Sequence, residues 1–178
     1  KITKRGRQIL NFPLHPRMAS ALITAHTLGA LEAGSKVCAL FSEPGMLKRG
    51  RRDEVSHCDF DISSTYLPAP IRQAQKQLLS IALKRLGPEG PKAKNEEEAI
   101  QMIFLSGFSD RVARRRDSES DRFVMVGGRG AKLSRDSKVK KATLIVDLDV
   151  DDGHRASEAL IRQACAIEES WLQGVEVI

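Results

Sequence analysis

The sequence is short of aromatic side chains (4%), has three cysteines and nowhere approaches a long apolar run. Each shortage excludes something. With so few rings, aliphatic helix packing has to supply most of a core. Without roughly 18 consecutive apolar residues there is no membrane span, and the basic first residues lack an apolar signal segment. Cys38, Cys58 and Cys165 are odd in number and share no paired spacing, which points to reduced thiols in a cytoplasmic protein rather than a disulfide framework. Cys38 and Cys165 lie in apolar patterns and read as core residues.

The usual signatures of chemistry are also missing. A nucleotide-binding loop needs Gly-Lys-Ser/Thr at fixed spacing between a strand and a helix. The nearest stretch, Gly127 to Ser134, has the wrong spacing and falls in a hairpin. His15, His26, His57 and Cys58 make no metal-ligand spacing. Asp147, Asp149, Asp151 and Glu158 mimic calcium-loop positions, but Asp152 stands where the loop needs glycine, with Gly153 one place late. They read instead as acids alternating along the exposed face of a strand. Nothing places Ser, His and Asp as a triad, so no catalytic or metal-binding residue is assigned.

What the chain does have is segregated charge. Its 178 residues carry a net charge of +6. Residues 111–141 hold eleven basic and four acidic side chains, while 142–178 hold two basic and eight acidic. A basic block beside an acidic one predicts a face suited to phosphates.

Local signals divide the chain in two. Thr3 can cap a first helix over about 4–11, which Pro13 and Pro16 must end. Pro16 suits the start of a second helix over 16–28, with Met18, Ala21, Leu22, Ala25 and Leu28 on one face. Gly29 or Gly34 can close the turns that follow, and a third helix covers 31–42. Residues 44–69 carry the charge run Lys48 to Arg52 and many Asp, Ser and Pro, and read as a long exposed connection. A fourth helix spans 70–86. Asn95 caps a fifth, whose Glu96, Glu97 and Glu98 favour its positive end, and Gly107 closes it. The period then becomes alternating. Arg122 to Val126 and Arg129 to Leu133 read as a hairpin about Gly127-Gly128, and Ala142 to Asp149 as a strand. Residues 160–167 permit strand or helix; a strand through Ile167 is favoured, with a short helix at Trp171 and Leu172. The fold class is α+β: a helical unit over 1–106 with the exposed loop at about 44–69, then a small β-barrel over 107–178.

Thr3 to Leu28 resembles the opening of the helicase-associated (ratchet) region of the DEAH/RHA ATP-dependent helicases. Phe108 to Arg114 is similar to the segment that opens their C-terminal OB-fold, Phe123 to Leu133 to its first hairpin, and Ile161 to Leu172 to its closing strand and terminal helix. Gly127-Gly128-Arg129-Gly130-Ala131 is typical of the HrpB branch. The resemblance covers nearly the whole chain through the order and spacing of these elements. It implies a fragment of a motor whose core domains, with their ATP and magnesium, lie elsewhere. It also implies a ratchet bundle bordering a single-strand channel, which would bring Arg5, Arg7 and Arg17 near the strand.

Nucleic-acid binding is the function this leaves. Cations near phosphates release condensed counterions, and an OB-fold offers a grooved sheet to single-stranded RNA or DNA. Arg114, Arg115, Arg116, Arg129, Lys132 and Arg135 are the expected backbone contacts, and Gly127, Gly128 and Gly130 would admit the strand close to the main chain. Phe123 is the main candidate for base stacking. The rival is a protein-docking or regulatory module of the same helicase, suggested by the acidic block and by residues 44–69. An independent enzyme would need a site that the sequence does not offer.

Overall fold

The computed structural model describes residues 2–43, 55–63, 65–151 and 158–173. The chain forms two compact units, one of Lys1–Lys48 with Ile62–Gly107, the other of Arg49–Asp61 with Phe108–Ile178. The Lys48 to Arg52 run and residues 152–157 lie outside the described residues.

The first unit is helical: α1 (Lys4–Ile9), α2 (Pro16–Thr27), α3 (Leu31–Phe41), α4 (Ala69–Leu86) and α5 (Glu96–Gly107). Its helices start where their capping chemistry says. Thr3 accepts from the Gly6 N–H at 3.0 Å, His15 Nδ1 from Arg17 N at 3.3 Å, and Asn95 from the Glu97 and Glu98 N–H groups. The bundle packs around α2, which lies against α3, α4 and α5. Gly34 is not a turn residue. It sits inside α3, where an added Cβ would come within 2.2 Å of Ala25 Cβ on α2. Gly29 closes the turn before α3 with φ +66°, and a Cβ there would strike the Pro91 carbonyl. A polar seam joins α2 to α5: Ser20 Oγ donates to Ser106 O, and Thr24 Oγ1 to Ser106 Oγ. Arg5 closes the seam by donating to Ser20 Oγ at 2.9 Å and Thr24 Oγ1 at 2.8 Å. No described helix is long and apolar enough to cross a membrane.

The second unit is a closed five-stranded barrel: β1 (Val112–Arg115), β2 (Arg122–Met125), β3 (Gly130–Leu133), β4 (Leu144–Asp151) and β5 (Ala159–Ala166). The strands run β1-β2-β3-β5-β4 around it, with β3 and β5 parallel and the other pairs antiparallel. This is an OB-like arrangement. A five-stranded barrel has a narrow interior, and Ala113, Ala131, Ala159, Ala164 and Ala166 leave room there for Phe123, Leu133, Ile145 and Ile161. The alternative left open at 160–167 resolves as strand, which ends at Ala166 rather than Ile167, and Glu169–Leu172 form a 3-10 turn. The four-residue β1 is too short to show a period, so only the resemblance placed the barrel's opening there.

Two expectations need correction. Residues 55–69 are not an exposed connection: Cys58, Asp59, Phe60, Ile62 and Leu67 are buried. Cys58 pairs antiparallel with Cys165 of β5. Asp59 Oδ2 accepts from Ser137 Oγ at 2.8 Å and Ala164 N at 2.7 Å, while Oδ1 accepts from Lys138 N at 2.6 Å. The segment is held by partners about a hundred residues away, so no local pattern announces it. Asp147 is likewise buried rather than exposed, because β4 is covered on both sides from Leu144 to Leu148. Register shifts follow at Asp149, beyond which the strand stays paired to β5 but its residues are only half-buried.

Removing the Asp59 carboxylate would strand three donors. Asp59→Ala is expected to destabilise the barrel by about 3 kcal/mol or more. Thermal melting followed by Trp171, the chain's one tryptophan, measures this, and an unchanged midpoint would refute the role given to Asp59. In the helical unit, Gly34→Ala must push α2 from α3 and should cost about 1–3 kcal/mol, read as a lower denaturant midpoint by circular dichroism at 222 nm, the standard helix band.

Candidate nucleic-acid interface

Strand alternation sorts the basic side chains. Phe123 and Ala131 point into the barrel, so Arg122 and Lys132 point out. In the same way Ala113 points in and Arg114 out. The register sets Arg122 beside Lys132, and Arg116 N donates to Arg122 O. The outer face of β1-β2-β3 thus gathers Arg114, Arg116, Arg122 and Lys132. Sequence reasoning counted Arg122 in the basic block but did not assign it to the site; its place opposite Phe123 in the alternation was the available signal.

Arg115 goes the other way. It lies on the side of Ala113, and its guanidinium sits 4.7 Å from the centre of the fully buried Phe123 ring. Nε donates to Ala142 O at 2.8 Å, Nη2 to Lys140 O at 2.7 Å, and Nη1 to Ser120 O. Burial lowers its pKa from the ordinary arginine value, against the opposing pull of Asp121 and Glu119. Arg115 therefore closes one end of the barrel and ties two connections together. Phe123 is core, not a stacking platform.

Arg129 is exposed at the β2-β3 hairpin, and Arg135 is exposed in the connection after β3. Gly127 and Gly128 take φ +88° and +85° with open space around them, so the turn needs their conformational freedom. Gly130 is different: an added Cβ would lie 3.2 Å from Arg116 Nη2 and 3.5 Å from Glu158 Oε1. Its missing side chain makes room for the cation beside it. Arg5 and Arg17 hydrogen-bond within the helical unit, Arg17 Nη1 to Gly107 O at 3.3 Å.

The outer cations have acidic neighbours. Arg114 meets Glu169 at 2.7 Å, Lys132 meets Asp121 at 3.4 Å and Arg122 meets Glu158 at 3.7 Å. On the adjoining β5, Arg162 meets Asp151. The acidic block of the sequence is folded in among the basic one, so the face is more nearly balanced than the linear charge count suggests. These pairs are half-exposed, with Arg114 at 54% and Glu169 at 71%, and exposed pairs are worth about 0–1 kcal/mol.

The two neighbouring arginines should separate cleanly in a stability assay. Arg115→Lys, which cannot reach three carbonyls with one ammonium, is expected to cost about 1–3 kcal/mol. Arg114→Lys should stay within about 0.5 kcal/mol of the parent. Equal losses in urea melts would refute the division.

No family model matches the sequence. The chain is 22% identical over 168 residues to the ATP-dependent RNA helicase HrpB of Escherichia coli, covering 94% of this chain and 19% of that protein. Two solved structures share its fold. One, described as the E. coli DExH-box NTPase HrpB, superposes with a TM-score of 0.66 at 22% identity over 96% of this chain. The other, described as the E. coli DEAH/RHA helicase HrpB, gives 0.64 at 22% identity over 94%. This chain spans 19% of the length of each. Over nearly its whole length, then, this chain is similar in sequence and in fold to about a fifth of the helicase HrpB.

Proposed function

We propose that this chain is the nucleic-acid-binding accessory region of an HrpB-like, ATP-dependent RNA helicase, guiding a single strand while ATP-driven motion of core domains elsewhere in the parent pulls it along. The observation that carries this reading is the file of Arg114, Arg116, Arg122 and Lys132 across the outer face of β1-β2-β3. OB-folds use such a face for oligonucleotides. The cations would meet phosphates, with Arg129 and Arg135 at the margins and the Gly127-Gly128 turn leaving the approach open. Phe123 is buried and so offers no ring to the bases, which makes contact with the sugar-phosphate backbone the expected mode. ATP and magnesium belong, on this reading, to the core domains, which are also its partners.

One observation favours a second reading. Glu169, Glu158 and Asp121 already hold three of these cations, and a charge-balanced face also suits docking to protein. Binding of labelled single-stranded RNA across a salt series separates the two. Three to four phosphate contacts predict a slope of log K against log salt of about −2 to −3. The triple variant Arg116→Glu, Arg122→Glu, Lys132→Glu should abolish the binding while the barrel still melts cooperatively. Affinity indifferent to salt, or unchanged in the triple variant, would favour docking to protein.

A further inference from the structure

We propose that Cys58 and Cys165 are a redox-modifiable pair that closes into a cross-strand disulfide, fastening the 55–60 segment onto the barrel. The two residues face each other across an antiparallel bridge. The main-chain hydrogen bonds on either side fix which kind of pair this is. Asp59 N donates to Ala164 O at 2.9 Å, and Ala166 N donates to His57 O at 2.6 Å. The bonds belong to the residues before and after the cysteines, so the cysteines occupy a non-hydrogen-bonded position. At such positions the Cα atoms stand about 4.5 Å apart and the side chains lie on the same face. A disulfide needs a Cα separation of roughly 4.4–6.8 Å. The backbone therefore holds both thiols within bonding range, and closing the bond asks for side-chain rotation rather than a shift of either strand.

The reaction needs an acceptor for two electrons, and a low-molecular-weight disulfide such as glutathione disulfide supplies it. Cys58 is the entry point, since it is 7% exposed while Cys165 is fully buried. Its thiolate attacks the small disulfide, forming a mixed disulfide and releasing one small thiolate. The Cys165 thiolate then attacks the Cys58 sulfur and releases the second. Two protein thiols become one disulfide, the small disulfide becomes two thiols, and the two protein protons end on the released thiolates. Cys38 is a built-in control. It is buried in the helical unit with its thiol pushed up to about 12 by desolvation, and it donates to Met18 O. It has neither a thiolate to react nor a partner cysteine in register.

The bond would tie residues 58 and 165 together across a very long loop, and long closed loops restrict the unfolded chain most. It would reinforce the segment that Asp59 already anchors, whatever the chain binds. This inference does not depend on the proposed function.

The experiment treats the purified chain with glutathione disulfide, removes the excess, unfolds the chain in guanidinium chloride, caps the remaining thiols with a maleimide and maps the unreduced peptides. The expected result is a single linked pair, Cys58 to Cys165, with only Cys38 capped, reversed by dithiothreitol. Melting of the oxidised chain should rise by on the order of 10 °C, and return on reduction. Cys58→Ser should lose both the link and the redox-dependent rise, whereas Cys38→Ser should keep both. Persistent glutathione on Cys58, a link that includes Cys38, full capping of all three thiols, or an oxidised chain that melts no higher than the reduced one would each overturn the proposal.

Discussion

A single buried carboxylate determines how the barrel unit is assembled. Asp59 joins three pieces of chain that sequence separates by 78 to 105 residues: the 55–60 segment, the loop at 137–138 and strand β5. A carboxylate offers two oxygens with several acceptor sites and no donor, which suits a place where one hydroxyl and two N–H groups converge away from water. Asparagine has nearly the same shape but would turn an N–H₂ toward one of these donors. Buried donors left without an acceptor are costly, so segment, loop and strand hold one another in place. The barrel is consequently discontinuous in sequence, with residues 62–107 folded into the helical unit between its two parts. Ranked by the loop each contact closes, local helical contacts come first and the Asp59 contacts, spanning 78 to 105 residues, come last.

That ordering also explains which parts of the fold the sequence discloses. Helix starts depend on neighbours within three residues, so Thr3, Pro16 and Asn95 announce α1, α2 and α5 within a residue or two of where they begin. The β2-β3 hairpin depends on two adjacent glycines with positive φ, again a local matter. Asp59 and Cys58 look, in sequence, like any polar loop residues, because what makes them structural is 80 to 100 residues away. Asp147 misleads for a related reason. Alternation tells which residues share a side of β4, but not whether both sides are covered, and here both are.

Strand geometry also breaks up the arginines. Arg114, Arg115 and Arg116 are consecutive, yet alternation sends the middle one toward the barrel core, where Phe123 and three carbonyls hold it. A run of three charges becomes two surface cations and one structural tie. The acidic half of the chain is interleaved with them: Glu158, just before β5, and Glu169, in the turn after it, reach back to Arg122 and Arg114. Blocks that look opposed along the sequence are neighbours on the folded surface, which lowers the field that the linear pattern promised.

Such pre-paired cations have a consequence for the proposed role. A bare cationic face gains the full counterion-release energy when a polyanion arrives, and binds tightly. A face whose arginines already sit against carboxylates still releases those counterions, but gives up an ion pair for each phosphate it takes. Both the pair lost and the pair gained are half-exposed, each worth about 0–1 kcal/mol, so the net gain per phosphate is small and the barrier to reversal is low. For a site meant to hold one sequence in one register this would be a defect. For a surface past which a strand must slide it is suitable, since each phosphate is released as readily as it is taken up and the displaced carboxylate is there to receive the cation again.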